Sequence, residues 1–162
     1  TQQVSSAASD VYKRQRVFYD MQLTKQTDYA FRVLIYLAEA ERNGTPVVRI
    51  PQISQYYEIS QNHIAKIVAN LSRQGWVASS RGKGGGVSLG MHASEIKLVD
   101  VVRVFEPSLK PVNCKEPVCK IAVSCRLRGL FDNAIQAFMN ALEGYSLEDV
   151  SFGSDDIVRF IE

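Results

Sequence analysis

Apolar residues recur at helical spacing through residues 24–41, where Ala30, Leu34, Leu37 and Ala38 share one face and neither Gly nor Pro intervenes. Thr24 can cap the start of this helix, and Asn43-Gly44 stops it. A short extended piece is expected over residues 47–50. Pro51 then stands in the first turn of a short helix that runs through Tyr57, a position that tolerates a missing N–H. The next pattern is the sharpest in the chain. Over residues 61–74, Ile64, Ile67, Val68 and Leu71 form an i, i+3, i+4, i+7 stripe that must face a core. Ser60 occupies the N-cap position and Gly75 the stop. The opposite face carries Gln61, Asn62, His63, Lys66, Asn70 and Arg73. Two short strands are predicted at 76–80 and 87–89, around the basic, glycine-rich tip Arg81-Gly82-Lys83-Gly84-Gly85-Gly86. Residues 93–105 read as one helix, with Ile96, Val99, Val101 and Val102 sealing the domain and Pro107 ending it. Helix, turn, helix and a two-stranded wing give the expected fold class: mainly α, a winged helix-turn-helix over residues 21–106.

Beyond it the pattern changes. Residues 107–124 read as a loop holding Pro107, Pro111 and Pro117 and two of the three cysteines. Residues 125–144 read as a long helix. Its Leu127, Leu130, Phe131, Ala134, Ala137, Phe138 and Ala141 mark a near-heptad seam, the pattern of a helix that packs on a twin. Residues 145–162 form an acidic tail without a strong period.

Length and composition narrow the class. At 162 residues there is room for one domain and an appended arm. With 46% hydrophobic and 22% charged residues the chain is neither disordered nor collagen-like. No apolar run is long enough to span a bilayer. The net charge of +2 argues nothing by itself, but its distribution does. Residues 21–110 hold 11 Lys and Arg against 7 Asp and Glu, whereas residues 111–162 hold 5 against 8. A basic front and an acidic back suggest a polyanion-binding module followed by something else. Three cysteines cannot all pair within one chain, and nothing resembles a cleavable signal peptide, so a cytoplasmic setting with reduced thiols is expected. Residues 1–20 stand apart. The stretch SSAASDVYKRQ, from Ser5 to Gln15, looks like the in-frame translation of a transposase sequencing adapter. Residues 1–20 are therefore expected to be a non-native leader, with Met21 the natural start.

Two constellations carry candidate chemistry. The first is the polar face of the 61–74 helix together with the Arg81–Gly86 tip. A recognition helix presents its N-terminal polar residues to base edges. Asn and Gln suit adenine, Lys and Arg suit guanine or phosphate, and glycines let a wing approach the backbone. Each piece alone could be a solvated helix face or an ordinary hairpin; the combination at this spacing favours DNA. His63 fits a phosphate or surface contact better than a lone metal ligand, and Trp76 fits a core anchor. The second constellation is Cys114-x4-Cys119-x5-Cys125. Structural zinc prefers four ligands in tighter pairs, and no C-x-x-C redox pair is present. Three thiols on a Pro-bounded loop suit an iron–sulfur cluster with one iron left for a weaker ligand. Zinc and free thiols stay open as alternatives, as does a metal-binding or electron-transfer role without DNA. Nothing supports an enzyme: His63 and His92 have no nucleophile partner, and the glycines lie in a hairpin rather than before a helix.

From Met21 to about Val150 the chain resembles the NsrR-type nitric-oxide-sensing repressors of the IscR/NsrR family of winged-helix iron–sulfur regulators. The resemblance rests on Met21-Gln-Leu-Thr, Thr27-Asp-Tyr-Ala, Ser60-Gln-Asn-His-Ile-Ala-Lys-Ile, Leu71-Ser-Arg-Gln-Gly, Arg81-Gly-Lys-Gly-Gly-Gly, Glu106-Pro, Val112-Asn-Cys, Cys119 and Cys125-Arg-Leu. The x4, x5 spacing is similar to NsrR and differs from the wider spacing of IscR-like members. The resemblance implies a homodimeric repressor on palindromic promoter DNA, a [4Fe–4S] cluster (with [2Fe–2S] as alternative) on Cys114, Cys119 and Cys125, and Asp28 of the partner subunit as fourth ligand. It further implies nitric oxide as the signal that ends repression, and DNA contacts from Ser60, Gln61, Asn62, His63, Lys66, Arg81, Gly82 and Lys83. Many relatives carry Arg where this chain has Gln61, which alters the contact expected there. An IscR-like iron–sulfur or redox-responsive regulator is the neighbouring reading.

Overall fold

The computed structural model describes residues 22–82 and 84–151. The expected leader, Lys83 and residues 152–162 of the expected tail lie outside the described residues. Helix α1 (Lys25–Arg42) is the axis of the fold. Thr24 caps it, its side chain accepting from the Thr27 N–H, and Ala30, Val33, Leu34 and Leu37 are fully buried along its length. Around it pack α2 (Ile50–Tyr57), α3 (Gln61–Arg73) and an antiparallel hairpin of β1 (Val77–Ser80) and β2 (Gly86–Leu89). The α3 stripe is buried throughout, at Ile64, Ile67, Val68 and Leu71. Val77 pairs with Leu89 and Ser80 with Gly86, which fixes the wing's register. Val48 joins the hairpin through a bridge to Val87, and a Cβ on Gly86 would collide with the Val48 carbonyl oxygen, so this crossing demands glycine. Trp76 is buried where the wing leaves α3.

The expected helix over 93–105 is two elements. A 3-10 turn (Ala93–Glu95) is followed by α4 (Leu98–Phe105), with Ile96 and Lys97 extended between them. The reason lies far away in sequence: Lys97 pairs with Ser146, the Leu147 N–H donates to the Ile96 carbonyl and the Leu98 N–H to that of Tyr145. The chain thus returns to the first domain. Leu147, in the short helix α6 (Leu147–Ser151), is fully buried, and α6 packs against α1.

Helix α5 (Arg126–Glu143) is different in kind. Only Met139 of its residues is buried, in a small cluster with Val99 and Val102 of α4 that Ile135, Phe138 and Leu142 border. Its other face leaves Leu127 52% and Leu130 65% exposed.

Candidate DNA interface and cysteine site

Ser60 starts α3 by accepting the His63 N–H on its hydroxyl, so the first turn is anchored while Gln61, Asn62, His63 and Lys66 all project into solvent. The His63 ring lies 6.4 Å, centroid to centroid, from that of Tyr29 on α1. The Ser72 and Ser79 hydroxyls, 3.4 Å apart, tie α3 to the wing. Arg81 and Gly82 are exposed at the wing tip, and Gly82 has φ of 101°, a backbone that disfavours any side chain. The expected DNA residues within the described part of the chain are therefore all exposed, on α3 and on the wing that follows it. Sequence reasoning missed the groove beside them. It has a volume of 610 Å³ and runs between α1 and α3, with Lys25 and Tyr29 on one wall and Lys66, Asn70 and Arg73 on the other.

The cysteine segment is open by comparison. Cys114, Cys119 and Cys125 are free thiols, each half-buried. The Cys119 N–H donates to the Cys114 carbonyl at 3.2 Å, and the Asn113 side-chain oxygen accepts from the N–H groups of Lys115 and Glu116, so the segment turns tightly at the first thiol. Cys125 occupies the N-cap of α5 without a side-chain capping bond. Among the described residues, no three His, Cys, Asp or Glu side chains converge as a metal-binding group. Asp28 lies on α1 in a groove that Tyr57 and Glu58 also line. Both of its carboxylate oxygens are 3.0 Å from Arg32 Nε, and the Arg32 guanidinium stands 5.6 Å from the Tyr57 ring centre. Burial pushes the Tyr57 phenol well above its ordinary range, so it stays neutral there.

Glu106 links the start of α1 to the start of the cysteine segment, and its place in the Glu106-Pro pair was its only sequence signal. Glu106 Oε1 accepts from the Thr24 N–H and from the Thr27 hydroxyl, both at 2.6 Å. Thr27 is fully buried beside Asp28, and Glu106 immediately precedes Pro107, where the cysteine segment begins. A separation of about eighty residues hides such a pair from any local pattern.

Residues 23–152 match the Rrf2 family, described as an iron-dependent transcriptional regulator. The chain belongs to the Rrf2 family. Among solved structures, CymR, the global cysteine regulator of B. subtilis, is 26% identical, with a TM-score of 0.67 over 83% of this chain and 99% of its own. CymR of Staphylococcus aureus is 22% identical, with a TM-score of 0.64 over 82% and 99%. IscR of T. potens is likewise 22% identical, with a TM-score of 0.64 over 81% and 86%; these last two share the fold. This Rrf2 protein is thus a winged-helix, DNA-binding transcriptional regulator, of a family whose members are regulators rather than enzymes. No helix among its described residues is long and apolar enough to cross a membrane.

Proposed function

We propose that this Rrf2 regulator is a homodimeric, cytoplasmic promoter repressor whose DNA affinity is set by an iron–sulfur cluster and whose signal is nitric oxide. The observation that carries the reading is the donor set: three free, half-buried thiols at x4 and x5 spacing, on a segment tied through Glu106 to the helix that supports α3. That set fits a [4Fe–4S] cluster in kind, with [2Fe–2S] as the alternative. The thiols do not form a three-ligand group in this conformation, so the fit is one of chemistry and not of distances. Cys114, Cys119 and Cys125 would hold the cluster, with Asp28 of the partner subunit as the fourth donor. When bound, the cluster would supply iron that reacts with nitric oxide. The chain's own residues do the rest. Ser60, Gln61, Asn62, His63 and Lys66 present donors and acceptors to the major groove, while Arg81, Gly82 and Lys83 serve the wing. The bare face of α5 at Leu127, Leu130, Ala134, Ala137 and Ala141 supplies the twin-helix seam.

The decisive experiment is anaerobic native mass spectrometry of the chain from Met21, followed by titration of promoter DNA with and without nitric oxide. One cluster per subunit of a dimer, and a loss of affinity of about 5- to 150-fold on nitric oxide, is the expected result. Unchanged affinity would remove the nitric oxide signal, and zinc would remove the cluster. A second reading has an observation of its own. The thiols are not gathered, and the similar CymR is described as a cysteine regulator, which favours a metal-free thiol regulator if iron and sulfide are absent from anaerobically prepared protein.

A further inference from the structure

The cations of this protein divide into two kinds. Arg32, Arg42, Arg103 and Arg128 each have an acidic partner within 4 Å: Asp28, Glu39, Asp100 with Glu143, and Asp132. Lys25, Lys66 and Arg73 are among the described cations without such a partner, and these three border the same 610 Å³ groove between α1 and α3. Their positions are not accidental to the fold. Lys66 and Arg73 are seven residues apart, so they lie on one line along α3, opposite the buried stripe of Ile64, Ile67, Val68 and Leu71. Lys25 sits in the first turn of α1, where the unpaired backbone N–H groups add positive potential. The Tyr29–His63 ring contact holds the two walls together.

A helix is about 10–12 Å across with its side chains, and the major groove about 12 Å wide. A recognition helix seated there therefore meets a sugar–phosphate strand on each flank. In this protein the wing is joined to α3 through the Ser72–Ser79 contact. The groove is lined from the α1 side of α3 and by no wing residue. We propose that the groove between α1 and α3 is a second phosphate track, in which Lys25 and Arg73 contact the DNA backbone and extend the line begun by Lys66. The proposal rests on α3 being the helix that enters DNA; its occupant is the backbone of the same duplex.

The test is fluorescence anisotropy of the full chain on a random-sequence duplex between ~50 and ~200 mM salt, since each neutralised phosphate contributes about −0.9 to the slope of log K against log salt. Lys25→Gln and Arg73→Gln, both at exposed positions, are each expected to flatten the slope by about one unit, and the double variant by about two. Lys115→Gln, in the cysteine segment, should leave it unchanged, and melting curves matching the wild type would show that the variants fold. A double variant with the wild-type slope overturns the proposal. So does an equal flattening by Lys115→Gln, which would make the effect one of net charge. If the wild-type slope survives in the double variant but inorganic phosphate stabilises only the wild-type chain, the groove belongs to a small anion instead. A wild-type chain that binds no duplex would sink the underlying placement of α3 as well, a failure distinct from a track assigned to the wrong residues.

Discussion

The winged domain and the α5 region are built from similar fractions of apolar residues but use them in opposite ways. In the first, α1 alone buries nine residues, and every apolar position of the α3 stripe is covered by its own chain. In the second, an 18-residue helix buries one residue, and the segment before it leaves Val118 81% and Ile121 61% exposed. Burial of apolar surface is the main favourable term in folding. The winged domain, completed by Leu147 of α6, therefore buries its apolar surface within the chain, whereas the cysteine segment and α5 leave much of theirs exposed. A contiguous exposed apolar face on a helix of this length is an interaction surface by default. That division suits the sensor proposed above. The part that presents α3 is packed on its own core, and the part proposed to meet a second subunit and a cluster is left incomplete.

The largest effect that would break this comparison comes from equal substitutions in the two regions. Leu34→Ala, at a fully buried α1 position, is expected to destabilise the chain by about 2–5 kcal/mol. Leu130→Ala should change the stability of dilute monomer by no more than about 0.5 kcal/mol, while raising the dimer dissociation constant in sedimentation analysis. Denaturant titration at low and high protein concentration separates the two. A Leu130→Ala monomer destabilised as much as Leu34→Ala would mean that α5 is packed on its own chain, and the contrast would be lost.

The same contrast decides what could be read from the sequence. The α3 stripe and its Ser60 cap were legible because both follow from neighbours within one or two turns. The exposure of Leu127 and Leu130 was legible for the complementary reason: a heptad seam longer than the domain can cover implies a partner. What escaped was set by distant contacts. Residues 93–105 look helical throughout, but Lys97 is drawn into an extended bridge by Ser146, forty-nine residues later. Leu147 shows no period because its helix has only five residues, yet it is fully buried in the main core. Arg73 was legible only as part of the polar face of α3 and Lys25 not at all, since the groove they share exists only once α1 crosses α3. The cysteine spacing was plain, whereas the approach of the three thiols to one centre was not, and the described side chains do not make it.

Glu106 sharpens the comparison at its seam, with an effect of intermediate size. Glu106→Ala leaves the fully buried Thr27 hydroxyl without its carboxylate acceptor, which should cost about 1–3 kcal/mol. Glu106→Gln keeps an acceptor oxygen in place and should recover most of that loss. Hydrogen exchange adds a spatial readout. The first turn of α1 should lose protection in Glu106→Ala, because the Thr24 N–H also donates to the same oxygen. Unaltered exchange there would show that the contact does not tie the cysteine segment to α1.

The smallest effect concerns the return of the chain to the winged domain. The Ser146 hydroxyl and N–H both donate to one Asp149 oxygen at 2.7 Å, closing the first turn of α6. The side-chain hydrogen bond, then the backbone one, hold the Asp149 carboxyl below its ordinary value of 3.8. A carboxylate whose folded pKa is depressed contributes stability that is fully present above its unfolded pKa and is lost as pH falls through the folded value. The expected outcome is a melting-temperature gap between wild type and Asp149→Ala that is constant near neutral pH and closes as the solution is taken below about pH 4. Other carboxylates titrate in the same window, but they do so in both proteins, so the gap isolates this one. A gap that persists unchanged into strong acid would mean that Asp149 supports α6 through packing rather than through its charge, and the hold of this last turn on α1 would then be apolar, resting on Leu147.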